Sequence, residues 1–218
     1  MIIEEFLIED MKLKYSVGIN QIRLDSRDIE LEKLLNLTKE IQNKYKDSYL
    51  QFFNEKYVLN TEHIYHACFF TQKSFYYKTN ISNQKELEFL LYLATKRQIK
   101  DVIKDFGINL EYIKKGLINF CIISSNEIIN KISNNVNSVL KAIETKFNLN
   151  NLNIEKYHII KKYFGFSENQ INSILKSYNI KIDIENPNKD NLQFLYLTLN
   201  DLICERMALL SLEKVSSV

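Results

Sequence analysis

Across residues 191–214, NLQFLYLTLNDLICERMALLSLEK, nearly every position other than Asn200, Asp201, Glu205 and Arg206 is apolar or small. A helix lying on a protein surface needs only one apolar stripe, about three to four residues in every two turns. This segment is apolar over much more of its circumference. As a helix it has to be covered on more than one side, either as the central helix of a core or with part of its face completed by a partner protein.

The rest of the chain supplies the cover. Three stretches alternate or run apolar with strand-forming residues: Lys12–Leu24, Ser48–Leu59 and Gly116–Ser124. Helical periodicity occupies Ile29–Tyr45, Thr61–Tyr77, Gln84–Phe106, Glu127–Phe147, Glu155–Phe164, Glu168–Ser177 and Asn191–Leu212. Strands and helices do not alternate regularly, which argues against a doubly wound parallel sheet. The expected class is α+β, a mixed or antiparallel sheet of three to four strands packed with about seven helices. Only 4 Gly and 1 Pro leave no evident linker, so residues 1–218 read as one domain.

Charge excludes one class of function. With 29 basic and 27 acidic residues, the whole surface cannot attract a polyanion, so any such ligand must meet a local patch. Cys68, Cys121 and Cys204 are far apart in apolar contexts and read as small core residues. The opening MIIEEFLIEDMKLK lacks the basic and long apolar regions of a leader, and no stretch is apolar for long enough to span a bilayer. A cytoplasmic protein without membrane contact is the expectation.

The local patch has a candidate in Thr95–Asn109, TKRQIKDVIKDFGIN. At helical spacing Leu87, Leu90, Leu91 and Ala94 share one face, whereas Ile99, Val102, Ile103 and Phe106 share a face displaced by about 110°. The interruption predicts a break near Thr95 and Lys96. A second helix starting there would set Lys96, Arg97 and Lys100 around exposed backbone N–H groups, an arrangement able to receive an anion. The same cations also fit an ordinary solvated helix. Catalytic signals are weaker. His63 and His66 stand three apart in TEHIYHACFF without the HExxH pattern or a third ligand nearby, and His158 stands alone. Asp101 and Asp105, flanked by Lys100 and Lys104, read as salt-bridge patterning. The sequence offers no catalytic constellation, no metal site and no cofactor motif.

Taken together, RQIKDVIKDFGIN, NTEHIYHACFFTQKSFYYKTN, QKELEFLLYLATK, LINFCIIS and LNDLICERMALL resemble, in order and over most of the chain, the PRPK-binding protein family in its archaeal type. The Asn-rich section 126–153 matches that pattern less well. The resemblance implies an accessory subunit of the KEOPS complex, which places threonylcarbamoyl on adenosine in tRNA. Such a subunit is not the enzyme. It docks on the N-terminal lobe of the kinase-like ATPase, meets the other KEOPS subunits indirectly, and holds the single-stranded 3′ CCA end of tRNA. Holding a single strand takes cations for phosphates and flat rings for bases. For phosphate the expected residues are Lys78 and Arg97, then Lys96, with Lys73 and Lys100 nearby; for stacking, Tyr76 or Phe75. For the kinase-like partner they are Leu199, Met207 and Leu209 of the last helix, with Leu34 and Leu35 beside them and Leu195 and Leu202 divided between core and partner. An adaptor without RNA contact and a small hydrolase using His63 or His66 remain as alternatives.

Overall fold

The computed structural model describes residues 1–25, 29–184 and 187–212. Five strands form one antiparallel sheet: β1 (Ile2–Ile8), β2 (Leu13–Leu24), β3 (Tyr49–Phe53), β4 (Leu117–Ser124) and β5 (Ala142–Glu144). Their order is β1-β2-β4-β3, and β5 pairs with Ile22–Leu24 of β2 just past the end of β1. The helices among the described residues are α1 (Leu31–Lys44), α2 (Thr61–Tyr76), α3 (Lys85–Ala94), α4 (Ile99–Phe106), α5 (Leu110–Lys114), α6 (Asn126–Leu140), α7 (Ile154–Phe164), α8 (Glu168–Ser177) and α9 (Lys189–Leu212). The class is α+β as expected, with five strands among the described residues instead of three to four and nine helices instead of about seven.

Strand alternation divides the interior in two. Tyr15, Val17, Ile19, Tyr49, Phe53, Cys121 and Ile123 face a core shared with α2, α3, α4, α7, α8 and α9. Ile22, Leu50, Phe52, Ile118, Phe120 and Ile122 face a second core under α1 and α6. The chain is therefore layered helix–sheet–helix. Close packing shows at Gly18 of β2, where an added Cβ would lie 2.8 Å from Ile129 Cγ2 of α6. Cys68 of α2 meets Cys121 of β4 at 3.8 Å, both buried as small core residues, while Cys204 is half-buried.

Helix α9 has the multiple cover that its composition required. Leu195, Leu199, Ile203 and Met207 are fully buried, and Leu192, Tyr196, Leu202 and Leu210 nearly so. Its Arg206 donates to the Phe164 carbonyl and lies over the Phe166 ring at 4.4 Å, joining α9 to the end of α7. Glu213 and Lys214 of the quoted stretch lie outside the described residues.

The break in Gln84–Phe106 is present. Thr95 takes the left-handed conformation at φ 51°, the Lys96 N–H closes on the Leu91 carbonyl, and α4 starts three residues later. Elsewhere the expected boundaries are too long. β3 stops at Phe53 because the Asn54 side chain accepts from Lys56 N–H at 2.9 Å and opens a 3₁₀ turn over Glu55–Tyr57. The pattern read as Glu127–Phe147 ends at Leu140, where Lys141 turns left-handed at φ 49° and the chain enters β5.

Candidate functional site

Helix α2 ends at the surface. Its Asn60 cap accepts from the His63 N–H at 2.9 Å, and at its far end the chain leaves the helix through Tyr77 and the left-handed Lys78, φ 58°. Thr79 N–H donates to the Ser74 carbonyl at 2.8 Å and completes the turn. Beyond it, the fully buried Glu88 of α3 accepts from the N–H groups of Ile81 and Ser82 at 2.7 to 3.0 Å, pinning the loop. The result is a well-braced exit that presents Lys73, Tyr76, Tyr77 and Lys78 to solvent, the two tyrosines edge to face at 5.1 Å.

The last turn of α9 lies alongside. Phe70, Lys73, Ser74, Tyr77 and Thr79 on one side and Ala208, Ser211 and Leu212 on the other enclose a groove of about 730 Å³. Tyr92 of α3 holds Ser211 at 3.2 Å, hydroxyl to hydroxyl, and Arg97 Nη1 reaches the Leu210 carbonyl at 3.5 Å. A guanidinium beside the terminal carbonyls complements the negative end of the helix dipole. The fold thus brings Lys73 and Arg97, from separate stretches of sequence, to the end of α9, with Tyr76 and Lys78 exposed on the same turn of chain as Lys73.

The remaining cations go elsewhere. Lys96 turns inward, with its ammonium 3.1 Å from Asp105 Oδ2 and 4.4 Å from the centre of the Tyr163 ring. Tyr163 donates to the same oxygen at 2.7 Å and stacks on Tyr57 at 3.9 Å. Burial alone would raise the Asp105 pKa; the hydrogen bonds from Tyr163 and Lys96 outweigh it and hold the carboxyl below its usual range. Lys96 therefore ties the α3–α4 elbow to α7. Lys100 is exposed on α4, and Phe75 is partly buried with the Lys85 ammonium 5.6 Å from its ring centre. The stacking expectation falls on Tyr76 or Phe75, but of the cluster Phe75, Tyr76 and Tyr77 that closes the helix it is Tyr77 that lines the groove, and it is as exposed as Tyr76.

The apolar partner residues separate more sharply. Leu34, Leu199 and Met207 are fully buried, and Leu195 and Leu202 lie in the core as well. Leu34 belongs to the core on the opposite face of the sheet from α9, so the expected grouping of Leu34 and Leu35 beside the last helix does not form. Leu35 is 52% exposed and Leu209 51%. The outward strip of α9 consists of Leu197, Leu209 and Leu212 with the partly exposed Cys204 and Ala208, and at about 100° per residue Asp201 and Glu205 fall among them on the same face. Leu197 and Leu212 do not stand out in the sequence, because a helix apolar on all sides does not mark its outer face.

A family model of the kinase-binding protein CGI-121 matches residues 28–211. The chain belongs to that family. No curated protein matches the sequence. The match to CGI-121 runs from α1 to all but the last residue of α9, and so takes in both walls of the groove and most of the outward strip.

Within this CGI-121 member the two candidate catalytic histidines differ. His63 is fully buried; its Nδ1 accepts from Leu59 N–H at 3.1 Å and its Nε2–H donates to the Leu93 carbonyl at 2.9 Å, which fixes the neutral tautomer. Burial pushes its pKa down to about 3. It is a structural clamp between the start of α2 and the end of α3. His66 is partly buried, with its pKa lowered by burial against the pull of Glu62 and Asp201. Among the described residues no three His, Cys, Asp or Glu side chains stand close enough to hold a metal, and no helix is long and apolar enough to cross a membrane.

Proposed function

We propose that this CGI-121 protein is the non-catalytic, kinase-docking subunit of a KEOPS-type assembly in the cytoplasm, and that it also holds the single-stranded 3′ CCA end of tRNA. The outward strip Leu197, Leu209 and Leu212 is the surface for the kinase-like ATPase, through which the other subunits are reached. The groove between α2 and α9 takes the RNA end.

One observation carries the RNA reading. Lys73 and Tyr77 line an apolar groove, and the exposed Lys78 and half-exposed Tyr76 stand beside them on the same turn of chain. Single strands bind where cations track the phosphates and rings stack the bases, each stacked base contributing about 1–3 kcal/mol. Arg97 supports the groove by holding the α9 terminus, and Lys100 continues the basic surface along α4. Lys96, engaged by Asp105 and Tyr163, stabilises the elbow on which Arg97 sits.

The test uses the exposed cations, since Arg97→Glu would also disturb α9. Lys73→Glu combined with Lys78→Glu should leave thermal unfolding unchanged and weaken tRNA binding. The dependence of log affinity on log salt should flatten by about 0.7 for each phosphate that is no longer neutralised. Removing the CCA end from the tRNA should abolish the difference between variant and parent. Equal affinity of variant and parent for intact tRNA at low salt would exclude the groove, leaving an adaptor without RNA contact.

A further inference from the structure

The 3₁₀ turn Glu55–Tyr57, the C-terminal end of α4 and the short α5 surround a polar basin of about 480 Å³ that shares no lining residue with the groove. Its floor is the Glu55 carboxylate. Oε2 accepts from Asn119 Nδ2 at 3.2 Å, and Asn119, fully buried on β4, is itself oriented by Gln21 Nε2 donating to its Oδ1 at 2.9 Å. The Tyr112 hydroxyl accepts from the Glu55 N–H at 3.4 Å and hydrogen-bonds the carboxylate. Burial raises the Glu55 pKa, and Lys156 and Lys115 oppose this through space. Lys156 is tethered where it stands, because its ammonium donates to the Leu149 carbonyl at 3.2 Å.

The rim is mixed but mainly cationic. Lys56, Lys104 and Lys115 line the basin with exposed side chains, beside the exposed Glu111 and beside Asp105, whose carboxylate is engaged by Lys96 and Tyr163; Lys56 and Lys115 rest 5.0 Å and 5.2 Å from the ring centres of Tyr57 and Tyr112. A carboxylate at the bottom and ammonium groups at the mouth complement a ligand that brings hydrogen-bond donors inward and leaves an anion outside. Asn119 and Tyr112 occupy two lone-pair positions of Glu55, and a carboxylate has about four. A flat base with two parallel N–H donors can pair with both oxygens, as guanine does through N1–H and its amino group. Adenine presents one donor beside an acceptor and meets the carboxylate with a mismatch. The basin also has room for a nucleotide, where a free amino acid would leave it largely unfilled.

We infer that this basin binds a guanine-bearing nucleotide, base on Glu55 and phosphate among Lys56, Lys104 and Lys115. The nucleotide is either free or an unpaired residue of an RNA. Two titrations separate the sources: GMP against AMP, and a short oligouridine carrying one guanosine against oligouridine alone. A guanine preference of about tenfold or more is expected in at least one of them, in line with a bidentate pair. Glu55→Gln should remove the preference, and Lys104→Glu, at an exposed position where thermal unfolding should change little, should weaken binding of both members of a pair. Lys73→Glu with Lys78→Glu should leave it intact, so this site stands or falls apart from the α2–α9 groove. Absence of guanine binding in both titrations, a preference unchanged by Glu55→Gln, or loss of binding in the groove variant would each overturn the assignment.

Discussion

His63 shows how a residue picked out for chemistry can serve the fold. Both ring nitrogens are engaged, and the imidazole stays neutral with a pKa of about 3, against the ordinary 6.5. Between those values the unfolded chain binds a proton that the folded chain excludes. Stability contributed here is thus fully present above pH 6.5 and lost as pH falls toward 3, by about 1.4 kcal/mol per pH unit within that window. Denaturant unfolding of the parent and of His63→Gln between pH 4 and 7 checks this. The variant should start less stable, with Leu59 N–H and Leu93 carbonyl deprived of their partner, and its stability should vary less steeply with pH; parallel curves would contradict it. Lys96 carries the same lesson. In the sequence it is one of three cations at a break, and the break itself forms as the periodicity predicts. Its partners, Asp105 nine residues on and Tyr163 on α7, are set by tertiary packing that no local pattern encodes.

Among the elements, the long ones were legible and the short ones were not. α2, α8 and α9 carry enough periods to declare themselves, and the phase shift across Thr95 marks the α3–α4 elbow. β1 sets Glu4 and Glu5 side by side and so breaks the alternation of a strand, while α5 with five residues and β5 with three are too short for a pattern to repeat. The stripe read on α4 was half right: Val102 and Phe106 are buried, whereas Ile99 and Ile103 stay at the surface. The same helix shows why its stop is glycine. Asn54 N–H donates to the Phe106 carbonyl and Gly107 pairs with Phe53, so the chain folds back tightly on α4. A Cβ at Gly107 would lie 2.4 Å from the Ile103 carbonyl oxygen, which is backbone and cannot swing aside. Gly107→Ala should therefore cost about 1–3 kcal/mol by overpacking. Chemical denaturation should show a lowered midpoint with unchanged slope, and a neutral result would mean that the turn relaxes freely.

For the whole molecule, the sheet separates the two helical layers, and that separation decides which surface a partner can use. Leu34 under α1 and Leu199 in α9 look equivalent in sequence as buried-face leucines of long helices, yet they lie on opposite faces of the sheet. Pairing of distant strands fixes this arrangement, and such non-local pairing leaves no trace in hydrophobic periodicity. Once it is known, the terminal helix resolves into an inward face that no partner can reach and an outward strip that one can. Met207 and Leu209, two residues apart, fall on different sides of that division. Met207→Glu should unfold the chain. Titration of the kinase-like ATPase with Leu209→Glu, thermal unfolding being followed on the same sample, tests the docking claim most directly. The account predicts a folded protein with unchanged melting and an affinity reduced by about 2–4 kcal/mol, the cost of losing a central anchor; a folded variant that binds the ATPase as tightly as the parent would contradict it.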